Sequence, residues 1–291
     1  MDKNITRVSR LPGEYAKYEI RKMIEDKVGI IGLGFVGSAI NSSLEMMMHS
    51  RLTLVDPAKG YTDKIEDCIT CTGVFVCVPS PMDDDGKCDT SILENVLKQL
   101  KGVGYNGVII SKCTAPPDVY ERLNAAYPNL VHAPEFLTAA NAVQDYANGT
   151  FAMIGGSVPA YQREAERIIR LSQGRLGDNV VYCSIGEAAL AKYTINSFLA
   201  TKVIFMNEIY NLSKKLGLRY EVIAAMYTMD PRIGKSHTVV PGPDGAFGFG
   251  GACFPKDTSA LLKIAEQYSI DMMVLDAAVK KNTLLRLTAP K

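Results

Sequence analysis

The sequence predicts a doubly wound α/β domain, a parallel sheet with helices on both faces, followed by a mostly helical domain. Three observations carry this reading. From Val28 to Tyr182, short apolar runs of strand length alternate with amphipathic stretches, the pattern of βαβ units. A glycine-rich turn, Gly32-Leu33-Gly34-Phe35-Val36-Gly37, lies between the first strand-like run and the first helical stretch. Beyond Tyr182 the texture changes, and Glu187 to about Leu216 is one helical pattern without Pro or Gly.

In chain order, residues 1–26 form a mixed-charge extension, with a helical pattern from Glu14 to Glu25. Strands are expected at Val28–Ile31, Leu52–Val55, Val74–Val78, Val108–Ile110, Leu130–His132, Phe151–Ile154 and Val180–Tyr182. Helices between them are expected at Ser38–Met48, Ser91–Leu100, Asp118–Ala126 and Ala160–Leu171. The long helix ends at Gly217, and shorter ones follow at Tyr220–Met229, Thr258–Tyr268 and about Ser269 to Leu287. Pro241, Gly242, Pro243 and Gly245 mark a loop before the second of these shorter helices. The domain boundary is placed at 183/184, giving an α/β domain over 27–183 and a helical one over 184–291.

Composition excludes several classes. Of 291 residues, 47% are hydrophobic and 22% charged, and 32 basic residues balance 31 acidic ones for a net charge of +1. That balance gives no footprint for nucleic acid or an anionic membrane. No apolar run reaches the ~20 residues that span a bilayer, and the first 26 residues carry no apolar leader segment. The seven cysteines, Cys68, Cys71, Cys77, Cys88, Cys113, Cys183 and Cys253, are dispersed and odd in number. This predicts reduced thiols and a cytoplasmic location. Cys68-Ile69-Thr70-Cys71 has CxxC spacing, but no second such pair or spaced His pair joins it, so no metal is expected.

The glycine turn fits GxGxxG, with Asp56 ending the next strand nineteen residues after Gly37. Glycines at these places allow a tight turn, approach of backbone to a pyrophosphate and close helix packing, while the helix N-terminus favours phosphate charge. Gly32, Leu33, Gly34, Phe35, Val36 and Gly37 are thus candidate dinucleotide contacts in a Rossmann-like domain. Asp56 would accept from the adenosine ribose hydroxyls and repel a 2′-phosphate, which favours NAD over NADP.

The second motif is Gly248-Phe249-Gly250-Gly251-Ala252-Cys253-Phe254-Pro255-Lys256-Asp257. Three glycines let backbone approach a ligand. The thiol follows at once, with an ammonium three residues on and a carboxylate four residues on. A nearby cation favours the thiolate, the form that attacks carbon. Lys192 and Asn196, four residues apart, share one face of the long helix; a solvated helix face carries such pairs too.

Read together and in order, these segments resemble the UDP-glucose/GDP-mannose dehydrogenase family from about Val28 to Leu287. Val74–Pro81 (VFVCVPSP) is similar to its strand ending in VPTP, Lys112–Pro116 (KCTAP) to its KSTVP, and Pro134–Leu137 to its PEFL. Lys192 and Asn196 match K-x-x-x-N, Asp230–Gly234 (DPRIG) resembles D-x-RIG, and the thiol motif matches GFGGSCFPKD with Ala252 for Ser. The resemblance implies oxidation of a primary alcohol by NAD, capture of the aldehyde on Cys253, a second oxidation to a thioester and release of a carboxylate by water. It implies oxyanion stabilisation by Lys192 and Asn196, and proton and water handling by Asp257, Glu135 and Thr114. It further implies cofactor contacts at Val78, Pro79, Ser80, Cys113 and Thr114. Substrate contacts are implied at Glu135, Phe136, Leu137, Lys192, Asn196, Arg232, Phe247, Phe249, Gly250 and Gly251.

The long helix, apolar at Ala188, Ala191, Ile195, Leu199, Val203 and Met206, corresponds to the family's central dimerisation region, so a homodimer is expected. Phe254 after the thiol is similar to the UDP-glucose branch, where the GDP-mannose branch carries Leu. Thr138-Ala139-Ala140 and Cys113 depart from the family pattern. The family also carries a second Rossmann-like domain after its central helices, and the chain ends at Lys291; a partner chain is one source of that domain. GDP-mannose or UDP-N-acetylmannosamine as substrate, a single-step β-hydroxyacid dehydrogenase, and a truncated binding module without catalysis stay open as alternatives.

Overall fold

The computed structural model describes residues 26–48, 51–138, 141–173 and 175–287. The expected helix from Glu14 to Glu25, and Ala139 and Ala140 of the family departure, lie outside the described residues. Two compact units form. One runs to Pro81 and resumes over Asp89–Lys192; the other takes Met82–Cys88 and Tyr193–Lys291.

The first unit is a seven-stranded sheet in the order β2-β1-β3-β4-β5-β6-β7. The strands are β1 (Val28–Ile31), β2 (Leu52–Val55), β3 (Gly73–Val76), β4 (Val108–Ser111), β5 (Leu130–His132), β6 (Ala152–Gly155) and β7 (Val180–Cys183). All lie within two residues of their predicted places. Strands β1 to β5 are parallel; β6 pairs with β5 antiparallel at His132 and Gly155, and β7 runs parallel to β6. The sheet is thus parallel except at this one junction.

Its helices are α1 (Phe35–Met48), α2 (Ser91–Gly102), α3 (Pro117–Ala126), α4 (Ala142–Ala147) and α5 (Pro159–Ser172). Successive strand residues face opposite sides, so β1 to β5 each feed two cores. Val28 and Ile30 of β1 join Ala39, Ile40 and Leu44 of α1 and Ile168 and Ile169 of α5. Ile31, Val74, Val76 and Ile109 join Leu93, Val96, Leu97 and Leu100 of α2 and Leu123 of α3 on the other side. Cys68 and Cys71 belong to that second core, where both sulfurs pack over Gly29; a Cβ there would stand 3.2 and 3.5 Å from them. The CxxC spacing serves packing.

The helix α6 (Ile185–Lys215) enters the second unit at Tyr193, followed by α7 (Tyr220–Tyr227), α8 (Phe254–Gln267) and α9 (Met273–Leu287). Gly217 (φ 68°) ends α6 with its N–H on Lys214 O, as a left-handed C-terminal residue does. Tyr193 packs with Ala260, Leu261 and Leu275, and Ala200 and Ile204 pack with Phe249 and Ala278. Met82–Cys88 closes on itself through a Met82–Cys88 bridge and docks on α8, where Ser259 Oγ donates to Gly86 O at 2.9 Å and Cys88 packs against the Tyr193 cluster. Helix α8 starts four residues before its expected place, because Pro255 fits the first turn. Helix α9 starts about four residues later than expected, after Ser269 turns left-handed (φ 55°).

Candidate functional site

In the first unit, the glycine turn leaves β1 where its neighbours β2 and β3 diverge in connection, the crevice at which open α/β sheets take ligands. Gly32 has φ 88°, and a Cβ on it would come 2.8 Å from Cys77 O. A Cβ on Gly37 would come 1.9 Å from Gly32 O, so helix and turn touch backbone to backbone. Nothing lies within 4 Å of where a Gly34 Cβ would be; that face is open to a ligand. The helix consequently begins at Phe35, inside the motif, with Ser38 N donating to Gly34 O at 2.9 Å.

Asp56 Oδ2 accepts the Leu33 N–H at 2.8 Å, which fixes the carboxylate beside the turn. The Lys59 ammonium donates to Leu33 O. In the sequence Lys59 reads as one more exposed loop charge. A tight turn with one open glycine, a helix N-terminus and a fixed carboxylate fit the diphosphate and ribose of NAD. Val78, Pro79 and Ser80 follow β3, and the Cys113 thiol is buried at 3.3 Å from Val78 O, tying that segment to the end of β4.

A second group in the same unit gathers on Glu135, three residues past the end of β5. Lys112 Nζ meets Glu135 Oε2 at 3.1 Å, with side chains only 3% and 12% exposed. Phe136 N donates to Glu135 Oε1 at 3.1 Å. Lys192 donates to Glu135 O and lies 4.7 Å over the Phe136 ring. Lys112, Glu135, Phe136, Leu137, Asp145 and Gln173 help line a cavity of about 90 Å³. Lys112 was visible in the sequence only as a letter of the KCTAP segment. His132, the last residue of β5 and three before Glu135, is buried with Nδ1 3.1 Å from Ser111 O and stacks on Tyr120 at 4.2 Å. Burial pushes its pKa down to about 3, so the ring is neutral.

In the second unit, Cys253 is exposed and caps α8. The turn before it requires glycine, since Gly248 and Gly251 both have φ 76°. One turn into α8, Asp257 is 1% exposed; its N–H donates to Cys253 O at 2.8 Å. Asn196 Nδ2 donates to Asp257 Oδ2 at 2.5 Å, and the Lys256 ammonium meets Oδ1. The cation that the sequence places beside the thiol is therefore engaged by the carboxylate. Phe249 is buried and Phe247 packs on Tyr210 at 5.5 Å. Arg232 is exposed, with its guanidinium on Asp230. Three residues that hold the glycine turn, Asn207, Asn282 and Arg286, were not singled out as site residues, although the spacing of the last two places them on one helix face.

Known proteins carry the same two parts. Residues 58–172 match the NAD binding domain of the UDP-glucose/GDP-mannose dehydrogenase family, and residues 186–284 match its central domain. The chain is similar to a UDP-glucose 6-dehydrogenase of Rickettsia felis, 32% identical over 219 residues, which cover 72% of this chain and 47% of that protein. It thus spans about half the length of that relative. Among solved structures, a UDP-glucose dehydrogenase of Pyrobaculum islandicum is 22% identical with a TM-score of 0.75, covering 89% of this chain and 68% of the other. A 3-hydroxyisobutyrate dehydrogenase of Mycobacterium tuberculosis is 16% identical with a TM-score of 0.71, covering 90% of this chain and 94% of the other; these two likenesses are of fold. With matched segments over both parts, the chain belongs to the UDP-glucose/GDP-mannose dehydrogenase family.

Proposed function

We propose that the chain is an NAD-dependent nucleotide-sugar 6-dehydrogenase that takes UDP-glucose to UDP-glucuronate in two oxidations, with residues 27–183 binding the cofactor and 184–291 carrying the nucleophile. The observation that supports this best is the exposed Cys253 thiol after a glycine-rich turn, one helical turn from the buried Asn196–Asp257 pair. A single-step hydroxyacid dehydrogenase shares the fold but has no use for that thiol.

NAD, when bound, supplies the hydride acceptor for the alcohol and again for the thiohemiacetal. The chain's own residues divide the remaining work. Cys253 Sγ adds to the aldehyde carbon, keeping it on the protein between oxidations. Asn196, held by Asp257, and Lys192 donate to the oxygen on which charge develops. Asp257, with both oxygens engaged by Asn196 and Lys256, takes the proton as the alcohol is oxidised. Glu135, fixed by Lys112 and the Phe136 amide, orients water with Thr114 and takes its proton as the water oxygen attacks the thioester carbon. The C–S bond then breaks and the thiolate leaves. Asp56 sets the preference for NAD, and Arg232 contacts the nucleotide sugar. A homodimer forms through α6, whose exposed apolar stripe is Leu190, Phe198, Phe205 and Leu212. Ala188 and Met206, expected on that surface, are buried within the chain.

The test is NADH absorbance with UDP-glucose, GDP-mannose and UDP-N-acetylmannosamine in parallel, for the native chain and Cys253→Ala. Two NADH per UDP-glucose are expected, and none of the acid from the variant. Normal acid production by Cys253→Ala would sink the covalent mechanism; turnover of GDP-mannose alone would overturn the substrate.

A further inference from the structure

The glycine turn before Cys253 is gripped by side chains from two helices. Asn282 Oδ1, on α9, accepts the Phe249 N–H at 2.7 Å. Arg286, one turn further along α9, donates Nε–H to Phe249 O at 3.0 Å. Both main-chain groups of one residue are thus held from one helix face, as the i,i+4 spacing allows. The Arg286 guanidinium also pairs with Asp244 Oδ2 at 2.7 Å, so it joins the loop's beginning to its end. From α6, Asn207 Oδ1 accepts the Gly248 N–H at 3.1 Å.

The fit leaves no slack. A Cβ on Gly248 would come 2.3 Å from Asn282 Oδ1, and one on Gly250 would come 2.7 Å from Arg286 Nη2. Gly248 and Gly251 both hold positive φ, and two such turns so close together have many unstrained alternatives when nothing restrains them. Phe249 is 4% exposed, so its N–H has no water to turn to if its acceptor is removed.

We propose that Asn282 is a positioning residue for the Cys253 thiol: with Arg286 it fixes the Phe249 backbone and so holds the glycine turn from which Cys253 follows. This deepens the thiol mechanism above and rests on it for its catalytic consequence. The geometric part stands without it. A side chain of the same size lacking the acceptor would free the Phe249 amide, let the turn sample other conformations and misplace the sulfur. A misplacement of about 1 Å lowers turnover by up to about a hundredfold.

Two variants test it, Asn282→Leu, which removes the acceptor, and Asn282→Asp, which keeps an oxygen in its place. Hydrogen exchange, read by mass spectrometry on the peptide spanning Ala246–Cys253, should be faster in Asn282→Leu and native-like in Asn282→Asp, with NADH affinity the same in both. In the NADH assay, kcat with UDP-glucose should fall at least about tenfold in Asn282→Leu and be restored to within about threefold in Asn282→Asp. Native protection of the peptide in Asn282→Leu would overturn the proposal. So would equal deprotection in Asn282→Asp, since the acceptor atom would then be irrelevant. If Cys253→Ala retained full acid production while the exchange pattern held, the thiol mechanism would fall and Asn282 would remain the residue that fixes the turn.

Discussion

Gly37→Ala puts one methyl group where the structure has least room for it. Its Cβ would lie 1.9 Å from Gly32 O, a separation that has to open beyond 3.0 Å. Gly32 cannot move away freely, because its own Cβ position already lies 2.8 Å from Cys77 O and its N–H is bound to Val55 O at 2.9 Å. The start of α1 must therefore lift, taking Ala39, Ile40 and Leu44, each 0% exposed, out of register with β1. Overpacking of this kind costs about 1–3 kcal/mol, and each kcal/mol lowers the midpoint by about 2–4 °C in a domain of this size. A drop of about 4–8 °C in Tm is expected for a cost near 2 kcal/mol. NADH affinity, measured by its fluorescence or by calorimetry, should weaken at least about tenfold, some 1.4 kcal/mol.

The control is Gly34→Ala, at a position with nothing within 4 Å. Its Tm should stay at the native value while NADH affinity falls, because the methyl group occupies only the ligand's side of the turn. An unchanged Tm and affinity in Gly37→Ala would refute the packing argument. Native affinity in Gly34→Ala would refute the approach of a diphosphate to this turn.

Asp56→Ser should raise NADP use relative to NAD at least about tenfold in kcat/KM, because the carboxylate that repels a 2′-phosphate is removed; an unchanged ratio would mean that Asp56 does not read the ribose. His132 is held neutral down to about pH 3, whereas the unfolded chain protonates it near 6.5. Between these values the unfolded state binds the extra proton. The stabilisation is therefore complete above pH 6.5 and is lost as pH falls toward 3, by up to about 1.4 kcal/mol per pH unit. Urea midpoints at pH 7 and 5 should converge in His132→Phe relative to the native chain, and identical pH slopes would refute the assignment. Phe205→Glu, on the α6 stripe where Phe198, Phe205 and Leu212 are 66%, 56% and 55% exposed, should turn a dimer into a monomer by light scattering. A native chain that is monomeric and fully active would remove the basis of the dimer.

The strands were legible because each is a short apolar run between turn residues, and seven of them fall where the pattern put them. The direction of β6 was not. A short apolar run has the same composition whichever way it runs, and the antiparallel contact rests on one pair, His132 and Gly155. Helix α4 has six residues, too few to show a period. Pro255 was the cue for the early start of α8, since proline suits a first turn, but the adjoining glycines outweighed it. At the sites, the residues that attack or bind are read from motif letters. Those that hold them, Lys112, Lys59, Asn282 and Arg286, lie far away in sequence, and only the fold brings Arg286 to Phe249 across 37 positions.

Met82–Cys88 belongs to a body otherwise made of residues after Tyr193. During synthesis this hairpin emerges more than a hundred residues before its docking helix, α8, so the helical unit cannot be completed by a chain that begins at α6. A C-terminal fragment would leave Ser259 without Gly86 and the Tyr193–Leu261 cluster without Cys88. Loop closure over that distance is entropically expensive and slow to form. The helical unit therefore needs a segment made well before it, and cutting the gene between β7 and α6 would take that segment from the unit it belongs to.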